Sequence, residues 1–196
     1  MRSTEEINVN LDSAARHESG HIVAAAAQGL RLRAEGLMVD PSGWGLACYH
    51  KEPDESDQSR ERIIIATLTG FKAENHFRAK CSYPLRDEQA VIDSCDWNEA
   101  RRLIPRFSDE YFQNENVGTI LCTLEARSAQ LVEQHLRAIE GLAAALLDKD
   151  WELRKPLKSG GSWSHENESM AKYVVGEEVV RVLQRYGIAA VCDPGP

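Results

Sequence analysis

The chain has 196 residues, of which 42% are hydrophobic, and this is enough for one ordinary globular domain with its own core. Its formal net charge is -8 at pH 7 and it has no cluster of lysines and arginines, so we do not expect a nucleic-acid partner. The first residues lack the apolar core of a signal peptide, and no segment approaches the roughly 20 apolar residues of a membrane span, so we expect a cytoplasmic protein without a membrane partner.

The first predicted element is a helix over residues 12–28. Asp12 or Ser13 can cap its N-terminus, the stretch that follows is rich in alanine, and Gly29 provides a C-terminal stop. The sequence His-Glu-Ser-Gly-His, residues 17–21, lies inside this helix. The chemistry of these side chains is therefore expected on a helix face.

A β-hairpin and a second helix are predicted next. Residues 36–40 and 45–50 have the composition of two short strands, and the Pro-Ser-Gly-Trp segment between them has turn chemistry. After an acidic, turn-rich loop, apolar residues at helical spacing predict a helix over about 58–79. Gly70 lies in the middle of that helix, so we expect another backbone to pass close to it.

The rest of the chain is predicted to be helical. Asp93 or Ser94 can cap a helix that has Asp96 in its first turn. A long amphipathic helix is predicted over about 117–148, and a last helix over about 168–186. No internal repeat or low-complexity segment marks a domain boundary.

Together these elements predict one α+β domain, mostly α-helical, over residues 1–196. Residues 1–110 are expected to contain the motif helix, a small β-hairpin or sheet and a metal site. Residues 111–196 are expected to form a C-terminal helical bundle. The chemistry of the protein is thus expected in the N-terminal part.

The metal site is predicted from two histidines on one helix. His17 and His21 are four residues apart, so they lie on one face with their Cβ atoms about 6 Å apart. Zinc binds such imidazole nitrogens, takes a third protein ligand and keeps an open position for water. Bound zinc would lower the pKa of that water, and Glu18 is placed as the general base that takes its proton and passes it to the leaving amine. The motif therefore predicts Zn²⁺ as cofactor and Glu18 as the catalytic residue.

The alternative is a chance pair of histidines on a helix surface. The apolar stretch 22–27 that follows favours a buried helix, in which unpaired histidines and a glutamate would be costly. A bound metal removes that cost. Gly20 fits the same interpretation, because a residue without a side chain lets another element pack close to the metal face.

Residues 15–21, Ala-Arg-His-Glu-Ser-Gly-His, resemble the first protease-domain helix of the FtsH-type ATP-dependent zinc proteases. Residues 69–75 look like that family's Gly-Arg-x-Ala-Glu-Glu helix, although the arginine is absent here. The segment 94–100 lies where the family has its Asn-Asp segment, and the resemblance implies that Asp96 is the aspartate ligand. The hairpin and the C-terminal helices are also similar to the family's, so the likeness extends over nearly the whole chain, but only the motif helix is a close match.

The resemblance concerns the peptidase part of that family alone. The sequence has neither a membrane anchor nor a Walker-type Gly-x-x-x-x-Gly-Lys loop, so no unfolding ATPase is expected in this chain. Processive, ATP-dependent degradation is therefore not implied. A separate ATPase remains a partner that the resemblance allows.

The third zinc ligand can be any of several chemically competent residues, namely Asp96, Glu74, Cys95, His76 and His50. We favour Asp96, because a carboxylate at a helix start can bind a metal and still accept hydrogen bonds from free backbone N–H groups; the alternative is a plain N-terminal cap. Glu74 is predicted to accept a hydrogen bond from a ligating histidine, and its alternative is a solvated glutamate on a helix face.

A polypeptide substrate is expected to bind along the second hairpin strand. An extended peptide can pair with such a strand by β-augmentation, which would hold the scissile bond over the metal. The predicted substrate-binding residues are Gly45, Leu46, Ala47, Cys48 and Tyr49. The alternative is an ordinary sheet edge shielded by a loop.

The resulting hypothesis is a zinc-dependent peptidase that cleaves unfolded or flexible polypeptides, alone or with a separate ATPase. The alternative from another class is a non-catalytic protein that keeps the zinc and acts as a binding or regulatory module, since resemblance does not prove activity. A third interpretation is a metal-free helical interaction protein. The intact Glu18 favours the enzyme, because a purely structural zinc site has no use for a base.

Overall fold

The computed structural model describes residues 4–52, 54, 56–92, 94–108, 110–112, 115–153 and 170–194. The architecture is α+β, mostly helical, with a small antiparallel sheet, so the predicted fold class is confirmed. The helices are α1 (Thr4–Ala27), α2 (Asp57–Lys80), α3 (Glu88–Ile92), α4 (Cys95–Leu103), α5 (Val117–Leu147) and α6 (Gly176–Gln184). The strands are β1 (Leu32–Val39), β2 (Gly45–Tyr49), β3 (Glu152–Leu153) and β4 (Met170–Val174).

Helix α1 is longer than predicted. It begins at Thr4, so Asp12 and Ser13 lie inside the helix and neither caps its N-terminus. Asp12 instead accepts a hydrogen bond from Arg16 at 3.1 Å, an i,i+4 pair of the kind that supports a continuous helix. The predicted cap is therefore wrong, while the predicted end near residue 28 agrees with the end at Ala27.

Helices α1 and α2 pack against each other through small residues. A Cβ atom on Gly20 would lie 2.8 Å from the Cβ of Ala73 and 3.0 Å from the carbonyl oxygen of Thr69, so only a glycine allows this approach. Helix α2 starts after Ser56, whose side chain accepts a hydrogen bond from the backbone N–H of Ser59. The predicted helix over residues 58–79 thus has nearly the predicted bounds.

The sheet has the strand order β2-β1-β4-β3, and every neighbouring pair is antiparallel. The predicted hairpin is confirmed as β1 and β2, although β1 begins earlier, at Leu32. Strand β2 pairs with β1 on one side and lies at the edge of the sheet. The same strand packs against α1.

The C-terminal part departs from the predicted helical bundle. Of the helix predicted over 168–186, residues 168 and 169 lie outside the described residues, residues 170–174 form β4, and only Gly176–Gln184 is helical. The prediction is wrong for β4 because antiparallel pairing with β1, from Leu37↔Val174 to Val39↔Lys172, determines its conformation. The C-terminal part therefore also supplies a strand next to β1.

Helix α4 is short and is anchored mainly by two buried residues, Ala100 and Leu103. The side chain of Ser94 caps it by accepting a hydrogen bond from the backbone N–H of Trp97. Ser94 is one of the two predicted caps, and the other, Asp93, lies outside the described residues. The buried side chains of α4 pack in an apolar cluster with α2 and α5. In the described ranges, we find no helix with the length and apolar character needed to cross a membrane.

Candidate metal centre

The three residues predicted as metal ligands lie together between α1 and α4. The Oδ2 atom of Asp96 is 3.0 Å from Nε2 of His17 and 3.2 Å from Nε2 of His21. The three candidate ligand atoms all lie within 4.8 Å of one another. Ligand atoms around a tetrahedral zinc ion with bonds of about 2.0–2.2 Å are separated by about 3.3 Å, so this spacing fits such an ion with only small adjustments.

Hydrogen bonds on the far side of each imidazole orient the two rings. Nδ1 of His21 lies 2.9 Å from the backbone carbonyl oxygen of Ala66, and Nδ1 of His17 lies 3.1 Å from Oε2 of Glu74. Carbonyl and carboxylate oxygens only accept hydrogen bonds, so both Nδ1 atoms are donors. The Nε2 atom of each neutral ring is then left with a lone pair that faces Asp96.

Three acceptor atoms therefore face one another and require a cation or protons between them. Burial disfavours protonation of His17, but hydrogen bonds to Asp96 and Glu74 more than offset it and raise the pKa of His17 to about 10. Burial acts against ionisation of Asp96 as well, yet the two histidines hold the pKa of its carboxyl far below the usual range. A divalent metal ion would stabilise the same arrangement with both histidines neutral.

Gly70 on α2 provides the space in which the histidine rings meet. A Cβ atom at this position would lie 2.5 Å from Nε2 of His21 and 2.8 Å from Nε2 of His17. Such distances are too short for any side chain. A backbone was predicted to pass close to Gly70; Gly20 of α1 does face its Cα atom, and the space left by the missing side chain holds the two imidazole rings.

Glu74 joins His17 to two arginines. Its side chain is fully buried, and its Oε1 atom accepts hydrogen bonds from Nε of Arg78 and Nε of Arg86, each at 2.9 Å. Burial raises the pKa of a carboxyl group, but His17 and Arg86 offset this and lower the pKa of Glu74 to about 2. Sequence reasoning did not anticipate either arginine. Arg78 could have been found from its i,i+4 spacing to Glu74, whereas nothing in the sequence pattern indicates Arg86.

Glu18 is buried next to the histidines, with 8% of its surface exposed. Its carboxylate lies against Gly45 of β2, where a Cβ atom would be 2.7 Å from Oε1 of Glu18. Burial raises the pKa of Glu18, and the neighbouring histidines act in the opposite direction. The carboxylate thus lies between the motif helix and the edge strand.

An open cleft of about 430 Å³ connects these groups to the surface. Of the predicted substrate-binding residues, Gly45, Leu46 and Ala47 line the cleft. Cys48 and Tyr49 do not belong to this lining; both are buried, and the Tyr49 hydroxyl forms a 3.1 Å hydrogen bond with the Thr67 hydroxyl. The cleft therefore borders the first half of β2.

The other residues considered as third ligands take different positions. Cys95 is exposed and lines the cleft beside Asp96. His50 forms a 2.8 Å ion pair with Asp193, near the C-terminus. His76 lies on α2 and is half-buried. Of these alternatives, Glu74 lies closest to the histidines, but it contacts the Nδ1 side of His17 and not the side that faces Asp96.

Comparison with known proteins adds no relative to this description: no protein-family model matches the chain, and no curated protein matches it significantly. The fold and the site define an α+β protein with a candidate His-His-Asp metal centre in an open cleft. The resemblance to FtsH-type proteases remains a prediction that rests on the quoted residues.

Proposed function

We propose that this protein is a zinc-dependent peptidase that hydrolyses peptide bonds in unfolded or flexible polypeptides. The observation that carries this proposal is the convergence of three acceptor atoms, from His17, His21 and Asp96, in an open cleft beside the buried carboxylate of Glu18. The similarity of residues 15–21 to the motif helix of FtsH-type proteases supports the same assignment.

The donor set fits zinc. Two imidazole nitrogens and one carboxylate oxygen are ligands that zinc prefers, and three protein ligands leave a position open for water, as catalytic zinc sites do. When bound, zinc acts as a Lewis acid that polarises a carbonyl group and lowers the pKa of a water molecule. The hydrogen bonds from His21 to Ala66 and from His17 to Glu74 fix the two rings so that both Nε2 atoms would be free to bind the ion.

Glu18 would move the proton. It follows His17 on α1, so its carboxylate reaches the same part of the cleft as the histidines. There it takes a proton from the attacking water and delivers it to the leaving amine. Gly45 opposite has no side chain, which leaves room for the carboxylate beside the edge strand.

Strand β2 would hold the peptide. It lies at the edge of the sheet, and no described strand pairs with its outer side. Unpaired N–H and C=O groups on a sheet edge bind an extended peptide by adding a strand. Because Gly45, Leu46 and Ala47 line the cleft, a peptide in this position runs past Glu18.

The test is the zinc content of the purified protein together with cleavage of unfolded casein, for wild type and Glu18→Gln. We expect one zinc per chain in both proteins and cleavage by the wild type alone. Glu99→Gln is the matched control, since it removes a carboxylate that lines the same cleft but is paired with Lys51.

Each outcome separates two of the hypotheses. Zinc without cleavage by the wild type would favour the non-catalytic binding module, and a protein that takes up no zinc after reconstitution would contradict the proposal. Equal cleavage by the wild type and Glu18→Gln would show that the activity does not use the proposed base.

A further inference from the structure

Two positively charged side chains line the cleft, Lys51 and Arg86, and they are paired differently. Nζ of Lys51 lies 3.0 Å from Oε2 of Glu99, so one positive charge faces one negative charge. Arg86 shares its carboxylate, because Oε1 of Glu74 also accepts a hydrogen bond from Nε of Arg78. One negative charge there faces two guanidinium groups.

When a divalent ion is bound, the charged groups around the cleft leave one positive charge unbalanced, on the arginine pair that includes Arg86. The two charges of the ion balance Glu18 and Asp96, and Lys51 balances Glu99. Both metal-bound histidines are neutral, so Glu74 has only the two arginines as charged partners. One positive charge therefore remains near Glu74.

The excess charge is accessible on Arg86 and not on Arg78. Arg78 is mostly buried, and its Nη1 atom donates a second hydrogen bond, to the carbonyl oxygen of Pro84 at 3.2 Å. The Arg86 side chain is 44% exposed and lines the cleft. Its two terminal nitrogens donate no hydrogen bond to any residue in the described part of the chain.

The Arg86 guanidinium is held in place and keeps a free fork of donors. Nε is fixed by Glu74, and the backbone N–H of the same residue donates to Oδ1 of Asn75 at 3.3 Å. The terminal nitrogens of an arginine bind a carboxylate with two parallel hydrogen bonds, which a lysine cannot do. A fixed, unpaired fork of this kind suits a carboxylate ligand.

The reach of Arg86 indicates which part of a peptide it meets. The Glu74 carboxylate and the His17 ring separate Arg86 from the Nε2 atom that faces the metal position. Arg86 is thus set back from the reacting carbonyl. An extended peptide advances about 3.3 Å per residue, so Arg86 can meet a group one or two residues away along the chain.

We propose that Arg86 is a specificity residue that binds a carboxylate of the peptide substrate, one or two residues from the scissile bond. The carboxylate belongs either to an Asp or Glu side chain or to a free C-terminus. This inference rests on the proposed peptidase function for its substrate class, but the binding of a carboxylate peptide can be measured without turnover.

The experiment measures binding to the zinc-loaded Glu18→Gln protein. The probes are four fluorescein-labelled peptides of one sequence, with either Glu or Gln at the variable position and with either a free or an amidated C-terminus. Fluorescence anisotropy gives the affinity of each. We expect one of the two carboxylates to tighten binding about 10-fold or more, in line with a charge-assisted hydrogen-bonded pair.

Variants of Arg86 test whether that residue is responsible. Arg86→Gln should abolish the preference for the carboxylate peptide, and Arg86→Lys should retain part of it because the charge remains without the fork. Lys51→Met is the matched control: it removes a positive charge from the same cleft that Glu99 already balances, so the preference should persist. Thermal denaturation checks that each variant is folded.

The outcomes distinguish this inference from the proposed function. Equal binding of all four peptides, or an equal loss of preference in Lys51→Met and Arg86→Gln, would overturn the role of Arg86 even if the wild type cleaves casein. An Arg86-dependent preference in a protein that does not cleave casein would support the carboxylate site and contradict the peptidase. If amidation alone weakens binding, the ligand of Arg86 is the C-terminal carboxylate. If replacing Glu by Gln alone weakens binding, the ligand is the side-chain carboxylate.

Discussion

The candidate centre is built from two walls that differ in how they are anchored. The first, the histidine wall, consists of α1 and α2 and carries His17, His21 and Glu74; these helices meet through small residues in the core. The second, the aspartate wall, is the nine-residue helix α4, which carries Asp96 and has only Ala100 and Leu103 fully buried. The candidate ligands of one site thus come from two kinds of element: the histidines from a buried helix pair, and the aspartate from a short surface helix.

This difference separates core packing from metal binding. On the histidine wall the same contacts orient the ligands and pack the core. Gly70 lies against both imidazole rings, and His21 is hydrogen-bonded to the buried backbone carbonyl of Ala66. On the aspartate wall, Asp96 can be altered with little effect on buried apolar surface. Damage to the first wall should therefore affect both the core packing and the metal, and damage to the second wall the metal without loss of core packing.

The largest effect is expected from Gly70→Ala in the histidine wall. The new methyl group would lie 2.5 Å from Nε2 of His21 and 2.8 Å from Nε2 of His17, so both rings must move. We expect zinc binding to be lost in a chelator competition assay and the free energy of unfolding to fall by about 1–3 kcal/mol in denaturant titrations. Gly118→Ala, in the first turn of α5, is the control, where the added Cβ would approach only the side chain of Asn116. Unchanged zinc affinity in Gly70→Ala would mean that the histidine wall is not rigid.

Asp96→Asn tests the aspartate wall. Asparagine keeps the size of the side chain but removes the charge that a divalent ion needs, so the zinc affinity should fall by more than the roughly 10- to 100-fold typical of an outer-sphere change. The free energy of unfolding of the metal-free protein should fall as well, because Asp96 helps to hold the proton on His17, but no apolar core contact is lost. Chelator competition and denaturant titration measure the two quantities. Full zinc affinity in Asp96→Asn would reject Asp96 as a ligand.

The histidine wall was also the part that sequence pattern predicted best. Local spacing, which a sequence displays directly, predicts the i,i+4 histidines and the helix over 58–79 with Gly70. It also predicts the neighbouring hairpin. Ser94 was one of two predicted caps, and the structure resolves the choice in its favour. Asp96 was favoured through its place at a helix start and through the resemblance, and it lies where a third ligand would be needed.

The failures lie where long-range contacts decide the structure. Residues 170–174 were assigned to a helix, but pairing with β1, more than a hundred residues earlier in the sequence, makes them a strand. The start of α1 is a local exception: it was placed too late, because two residues suited to capping lie inside a longer helix. Arg86 reaches Glu74 from a loop, and no periodicity relates the two positions. Such contacts depend on the folded arrangement and leave no local pattern.

A smaller effect is expected from Glu74→Gln, which alters the support of His17 and leaves all three ligands in place. The carboxylate accepts from Nδ1 of His17 and from two arginines, and a neutral amide orients the ring less firmly. We expect about 10- to 100-fold weaker zinc binding in the chelator assay. Glu125→Gln is the control, since it removes a carboxylate paired with Lys72 outside the centre. An affinity equal to that of the control would show that the ring is held by packing alone.

A dependence of stability on pH is expected from both walls together, because Asp96 and Glu74 raise the pKa of His17 to about 10 in the metal-free protein. A histidine in the unfolded chain has a pKa near 6.5. The folded state therefore binds the proton more tightly, and this stabilisation is complete below about pH 6.5 and is lost as the pH rises through 10. We expect the unfolding temperature of the metal-free protein to fall across this window.

The zinc-loaded protein should lack this component, because a metal-bound Nε2 carries no proton. Differential scanning calorimetry of both forms between pH 6 and 10 measures the difference, and titrating groups away from the centre cancel in the comparison. Asp96→Asn and Glu74→Gln should each reduce it, since each removes one of the two carboxylates that hold the proton on His17. A pH dependence identical in both forms would mean that His17 is neutral in the metal-free fold, and the two carboxylates would then have to be spaced further from its ring.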